Sequence, residues 1–113
     1  MPEGGEPAAR RFYGALLGLP EIAKPPRLAA RGGVWFRLGE QEIHLGVEAN
    51  FAPARKAHPA LRWSGLPALR EELKEGGVLV REEEPLPGFH RFYADDPFGN
   101  RLEFLEPEPE PHR

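Results

Sequence analysis

Apolar and polar residues alternate along two paired stretches of the chain, and this pattern predicts its hairpins. Val34-Trp35-Phe36-Arg37-Leu38 reads as a strand, and Glu42-Ile43-His44-Leu45-Gly46-Val47 returns beyond the tight turn at Gly39-Glu40. A period of two puts Ile43, Leu45 and Val47 on one face and His44 on the other. A second hairpin is predicted over 89–94 and 101–105. It is joined by Asp95-Asp96-Pro97-Phe98-Gly99-Asn100, where Pro fixes φ and Gly and Asn tolerate positive φ. Helical spacing appears twice. Phe12, Leu16 and Leu19 predict a helix over 7–18, with Pro7 in its first turn and Gly18 at its stop. Leu69 and Leu73 predict another over 67–75, opened by Pro67 and ended by Gly76-Gly77. Short strands are expected at 58–63 and from Val78 to Val80. Pro20, Pro25 and Pro26 break the chain after the first helix, and residues 49–56 read as a connector. From Glu106 to Arg113 Glu and Pro alternate, which predicts an extended, mobile tail.

The order of elements repeats, so the chain reads as one unit written twice. Shifting the second hairpin back by 59 positions sets Leu102 on Ile43, Phe104 on Leu45 and Glu103 on His44. The apolar residues of both copies then pack under the helices. His44 and Glu103 face away from them at equivalent positions, and pairing of the copies about a pseudo-twofold axis brings the two into one concavity. An imidazole and a carboxylate meeting there suit a divalent ion. The second copy also has a strand before its helix, opening at His58, for which the first copy has no counterpart. The repeat therefore suggests a four-ligand plan with three members visible.

Composition narrows the functional classes. A length of 113 residues suits one domain, placed at 1–106 with the tail at 107–113. A net charge of −3 gives no basic surface for nucleic acid. The absence of cysteine excludes disulfides, thiolate metal sites and a cysteine nucleophile. There is no apolar run of ~18 residues to span a membrane. The N-terminus lacks the pattern of a secretory signal, so a cytoplasmic protein is the default expectation.

The motif Asp96-Pro97-Phe98-Gly99-Asn100-Arg101-Leu102-Glu103 resembles the aspartate-proline-x-glycine-asparagine turn and last strand of the vicinal-oxygen-chelate superfamily, the glyoxalase, bleomycin-resistance and extradiol dioxygenase group. Phe12-Tyr13-Gly14-Ala15-Leu16-Leu17-Gly18-Leu19 resembles its first helix, and the likeness covers roughly residues 9–106. The resemblance implies an α+β fold of two βαβββ modules forming a cupped mixed sheet, here with the first module lacking its leading strand. The fourth ligand position then lies upstream of Met1, is empty, or is filled from another chain. The resemblance also places His44, His58 and Glu103 on metal-ligand positions, for one divalent transition ion (Ni, Zn, Fe, Co or Mn). Occupation of the His44 position is more like glyoxalase I than like the dioxygenases. The activity implied is a glyoxalase-type lyase or isomerase acting on a small substrate with two vicinal oxygens, with Glu103 doubling as the base. The alternatives are a metal-free dimeric sequestering protein of the bleomycin-resistance type and an extradiol dioxygenase or epimerase. Family habit and an unpaired strand edge predict a homodimer.

Each candidate also has a plainer reading. His44 can be a histidine on an exposed strand face. His58 can be bonded to a backbone carbonyl, and Glu103 can be a partner of Arg101 or Arg62. Arg37, Arg62 and Arg91, by alternation on their strands, are candidates to bind an anionic substrate, although surface charge accounts for any one of them. His90 reads as locally satisfied and His112 as solvated. Trp35, Phe92 and Tyr93 read as core or cleft wall.

Overall fold

Val34 and Phe36 are buried, and Trp35 between them and Arg37 after them are not, as the alternation predicts. They lie on β2 (Val34–Leu38), which pairs antiparallel with β3 (Gln41–Leu45) in the register Val34–Leu45, Trp35–His44, Phe36–Ile43 and Arg37–Glu42. The structure, a computed structural model, describes residues 1–109; His112 and the end of the expected tail lie outside them. The chain divides into two units, Met1–Pro53 with Asp96–Gly99, and Ala54–Asp95 with the chain from Asn100 on.

In the first unit the helix expected at 7–18 has two parts. Residues Glu6–Ala9 form α1, and Arg10–Leu16 continue as a π-helix. Leu17 N–H reaches back five residues to the Phe12 carbonyl at 2.9 Å. The wider turn changes which side chains face inward. Ala9, Phe12, Tyr13, Leu17 and Leu19 are buried, while Leu16, expected on the stripe, is partly exposed. Tyr13 stacks on Phe36 with ring centroids 5.6 Å apart. Full burial of side chains this size stabilises by about 1.5–3 kcal/mol each. Two short elements occupy the segment expected to be broken by proline. These are β1 (Glu21–Ile22), which pairs with β2, and α2 (Pro26–Ala29). Proline suits the first turn of α2, where an N–H has no helical partner to lose.

The second unit contains β4 (Ala60–Arg62), α3 (Leu66–Glu75), β5 (Val80–Arg81), β6 (Phe89–Asp95) and β7 (Arg101–Pro107). Its sheet order is β4-β7-β6-β5, with β4 parallel to β7 and the other pairs antiparallel. Leu66, Leu69 and Leu73 of α3 are buried, as are Phe92, Ala94, Leu102 and Phe104 of the sheet. Strand β7 runs on to Pro107, so the tail begins as a strand. The Glu106 carboxylate accepts the N–H groups of Gly65 (2.8 Å) and Leu66 (3.3 Å), which caps the start of α3. Those amides hold its pKa below the ordinary carboxylate value.

The protein is thus α+β, with two strand-rich modules that each carry a helix. Among the described residues α3 follows a strand, β4, whereas no strand precedes α1. Met1 nevertheless supplies one rung: its N donates to the Gly46 carbonyl at 2.8 Å, and its carbonyl accepts from Glu48 N–H at 2.9 Å. Trp63 N–H donates to the Leu105 carbonyl at 3.0 Å, 59 positions beyond Gly46. The backbone of Met1 therefore takes in its unit the place that Trp63 takes in the other.

Candidate functional site

Strand register decides which side chains share a face, because residues directly opposite one another point the same way. In the second unit Arg81, Tyr93, Glu103 and Ala60 form one row across the sheet. Arg91, Leu105 and Arg62 form the next row on the same face, and Asp95 and Arg101 the row on the other side. The opposite face carries Phe92, Phe104 and Leu61, which pack into the core. His58 lies two residues before Ala60 and so belongs to the charged face.

His58 and Glu103, separated by 45 residues, meet there with Nε2 and Oε1 2.9 Å apart. The other ring nitrogen, Nδ1, is 2.8 Å from the Lys56 carbonyl, which can only accept, so Nδ1 carries a proton. His58 titrates above the ordinary histidine value, chiefly through the Lys56 carbonyl and then through Glu103; the Arg101 charge opposes the shift. Glu103 is only 6% exposed. Burial alone would raise its pKa, but hydrogen bonds from His58, Arg91 and Tyr93, with the Arg91 charge, outweigh burial and hold it below the ordinary value. Arg91 reaches Glu103 Oε2 at 3.4 Å and the Glu84 carbonyl at 2.5 Å. The His58 ring meets Tyr93 edge-on at 5.6 Å.

The donor chemistry suits a divalent transition ion at this pair. A ligating histidine commonly donates its far N–H to a carbonyl, which fixes the tautomer and presents the other nitrogen, and the Lys56 carbonyl does this for Nε2. His44, the third expected ligand, lies in the first unit. Its ring stacks on Trp35 with centroids 3.6 Å apart and planes 1° from parallel, and its Nε2 is 2.8 Å from Glu42 Oε1. Among the described residues no group of three or more His, Asp or Glu side chains is placed to hold one ion.

Of the arginines proposed for substrate, Arg62 and Arg91 share the face of His58 and Glu103, and Arg37 sits across from Glu42 in the first unit. His90 is exposed on the other side of β6 and lines a cleft of about 450 Å³ with Leu66, Pro67, Arg70, Glu106 and Pro107. That cleft includes neither His58 nor Glu103. Tyr93, read as core or cleft wall, and Arg101, read only as a possible partner of Glu103, take places in the candidate site. Their signal in the sequence was parity alone, since Arg101 is two residues from Glu103 and Tyr93 two from Arg91.

Residues 6–104 match the model of the Glyoxalase/Bleomycin resistance protein/Dioxygenase superfamily. A glyoxalase family protein from Bacillus anthracis is 48% identical, superposes with a TM-score of 0.92, and is matched over 96% of this chain and 88% of that one. TnmS3, an antibiotic binding protein from Streptomyces sp. CB03234, is 22% identical with a TM-score of 0.72, covering 96% of this chain and 91% of that one. Lactoylglutathione lyase from Agrobacterium tumefaciens is 22% identical with a TM-score of 0.64, covering 88% and 84%. These last two likenesses concern the fold. No curated protein matches the chain. Among the described residues no helix is long and apolar enough to cross a membrane.

Proposed function

The chain belongs to the glyoxalase/bleomycin resistance protein/dioxygenase superfamily, and from that premise we propose a metal-dependent enzyme of the glyoxalase type, acting on a small substrate with two vicinal oxygens. The observation that carries the reading is the approach of His58 Nε2 to Glu103 Oε1 with the Lys56 carbonyl behind Nδ1. His58 and Glu103 would hold the ion. His44 is assigned as a further ligand on the 59-residue register of the sequence. When bound, the ion supplies Lewis acidity toward the substrate oxygens. Arg91 anchors one Glu103 oxygen and leaves the other facing His58. With its pKa held low, Glu103 is ionised at neutral pH and can accept a proton at Oε1. Tyr93, buried beside it, helps exclude water from that carboxylate. A homodimer is part of the proposal.

Elemental analysis after dialysis against Ni, Zn, Co, Mn and Fe(II) tests it. Stoichiometric uptake is expected, reduced at least tenfold in affinity by His58→Ala and by Glu103→Ala. His44→Ala tests the third ligand in the same assay. No stoichiometric uptake by the native protein sinks the reading. A metal-free sequestering protein then stands in its place. That second reading is favoured by the parallel Trp35–His44 stack, an aromatic surface on the same sheet face as Arg37.

A further inference from the structure

We infer that Arg101 is an anion anchor, binding an oxyanion group of a small ligand beside His58 and Glu103. The inference rests on that face being the site proposed above, and deepens the reading by naming the substrate class.

The arginines of this face are not equivalent. Arg81 is committed to Asp95, which it grips with both terminal nitrogens at 3.0 and 2.9 Å. Arg91 is committed to Glu103 and to the Glu84 carbonyl. Arg101 sits directly opposite Asp95 on the neighbouring strand, so a cross-strand ion pair between them is the default. Arg81 has taken that carboxylate. Arg101 has no ion-pair partner among the described residues. Its guanidinium lies over the Tyr93 ring, 5.5 Å from the centroid, where Arg91 also approaches at 5.4 Å. Tyr93 is 5% exposed, so the ring gives a firm floor, while Arg101 itself remains partly exposed.

A guanidinium lying over an aromatic face is attracted by the ring, and its N–H groups remain available to an oxyanion. Carboxylate and phosphate oxygens match those groups with two parallel hydrogen bonds. Two further facts suit an anion. The face carries Arg62, Arg81, Arg91 and Arg101 against Asp95, Glu103 and the nearby Glu83, so it is net positive in a chain of net charge −3. Arg101 is also two residues from Glu103 on the same face of β7, so a ligand held by Arg101 lies beside the His58–Glu103 pair.

The test uses the full chain freed of metal, titrated calorimetrically with D-lactate and, separately, with inorganic phosphate. The native protein should bind at least one, and the stronger one identifies the class as carboxylate or phosphate. Arg101→Met should weaken that binding about tenfold to a hundredfold, and Arg101→Lys, which keeps the charge and loses the fork, by less. Arg70→Met, which removes a charge paired with Glu82 and lying over Phe92 on the other side of the sheet, should change it by less than about threefold. Uptake of nickel or zinc by Arg101→Met should equal that of the native protein. Binding by Arg101→Met within about twofold of native overturns the inference. So does a loss in Arg70→Met as large as in Arg101→Met, or no native binding of either anion up to about 10 mM. If Arg101→Met fails to fold, judged by thermal melting, Arg101→Lys decides by the same comparison. Absent metal uptake with anion binding intact counts against the metal-dependent reading alone.

Discussion

His58 presents one ring nitrogen to the Glu103 carboxylate at 2.9 Å and the other to the Lys56 carbonyl at 2.8 Å, so both nitrogens face acceptors. Such a ring is best satisfied as an imidazolium, and the pair acts as a buried-edge ion pair whenever both charges exist. His58 titrates above its ordinary 6.5, so its share of stability is complete below pH 6.5 and is lost as pH rises through the folded value. Glu103 titrates below its ordinary 4.5, so its share is complete above pH 4.5 and is lost as pH falls. The destabilisation caused by His58→Ala is therefore greatest between pH 4.5 and 6.5. Urea midpoints of both proteins in that window and near about pH 9 check this. A difference that grows toward alkaline pH contradicts it.

Tyr13, in the π-helix, donates its hydroxyl to Asp96 Oδ2 at 2.7 Å, and Asp96 Oδ1 accepts the Phe98 N–H at 2.9 Å. Burial, and then the Asp96 charge, push the Tyr13 hydroxyl far above its ordinary value, so it remains a donor at any working pH. Tyr13→Phe keeps the ring stack on Phe36 and removes one donor from a carboxylate that is 5% exposed. The expected cost is about 1–3 kcal/mol, read from chemical denaturation. A change below about 0.5 kcal/mol would show that water replaces the hydroxyl.

Gly33 precedes β2 with φ +89°, and a Cβ built there would stand 2.3 Å from the Leu45 carbonyl oxygen. Its N–H donates to Glu6 at 3.0 Å. Both the backbone region and the close approach require glycine. Gly33→Ala should cost more than about 2 kcal/mol, because strain and a backbone clash add. Gly39→Ala is the control. It shares positive φ but meets nothing within 4 Å, so it should cost less in the same denaturation series.

Glu106 tests the cap on α3. Replacing it with Gln removes the charge from two amide donors at the start of the helix, and the urea midpoint should fall at neutral pH. Because the pKa of Glu106 is lowered in the folded protein, the difference between native and Glu106→Gln should vanish as pH falls through that value.

Both hairpins are legible because short β-rich runs flank turns that contain glycine or proline at positions that need them. The approach of His58 to Glu103 is legible through the resemblance, although His58 lies two residues before β4 rather than at its start. The segment after the first helix departs from the expected break because Pro26, at a first helical position, opens α2 rather than ending structure. The π-helix was not legible. Its five-residue return from Leu17 to Phe12 leaves Leu16 and Leu17 equally apolar in sequence, and only packing selects Leu17. Arg101 enters the sequence reading only as one alternative partner of Glu103, beside Arg62. Which arginine wins a carboxylate depends on three-dimensional competition, here between Arg81 and Arg101 for Asp95 and between Arg91 and Arg101 for Glu103.

The parallel pairing of β4 with β7 has a kinetic consequence. Strands β6 and β7 are joined by a short turn and can zip locally, whereas Ala60 must find Glu103 across α3, β5 and the whole hairpin. Loops of that length close late, since their entropy must be lost before contacts repay it. His58 and Glu103 sit on the two sides of that last closure, so the pair should assemble only as the unit completes. Pulsed hydrogen exchange during refolding should protect the β6–β7 amides before the Trp63 amide that bonds Leu105; simultaneous protection would show β4 docking with the hairpin in one step.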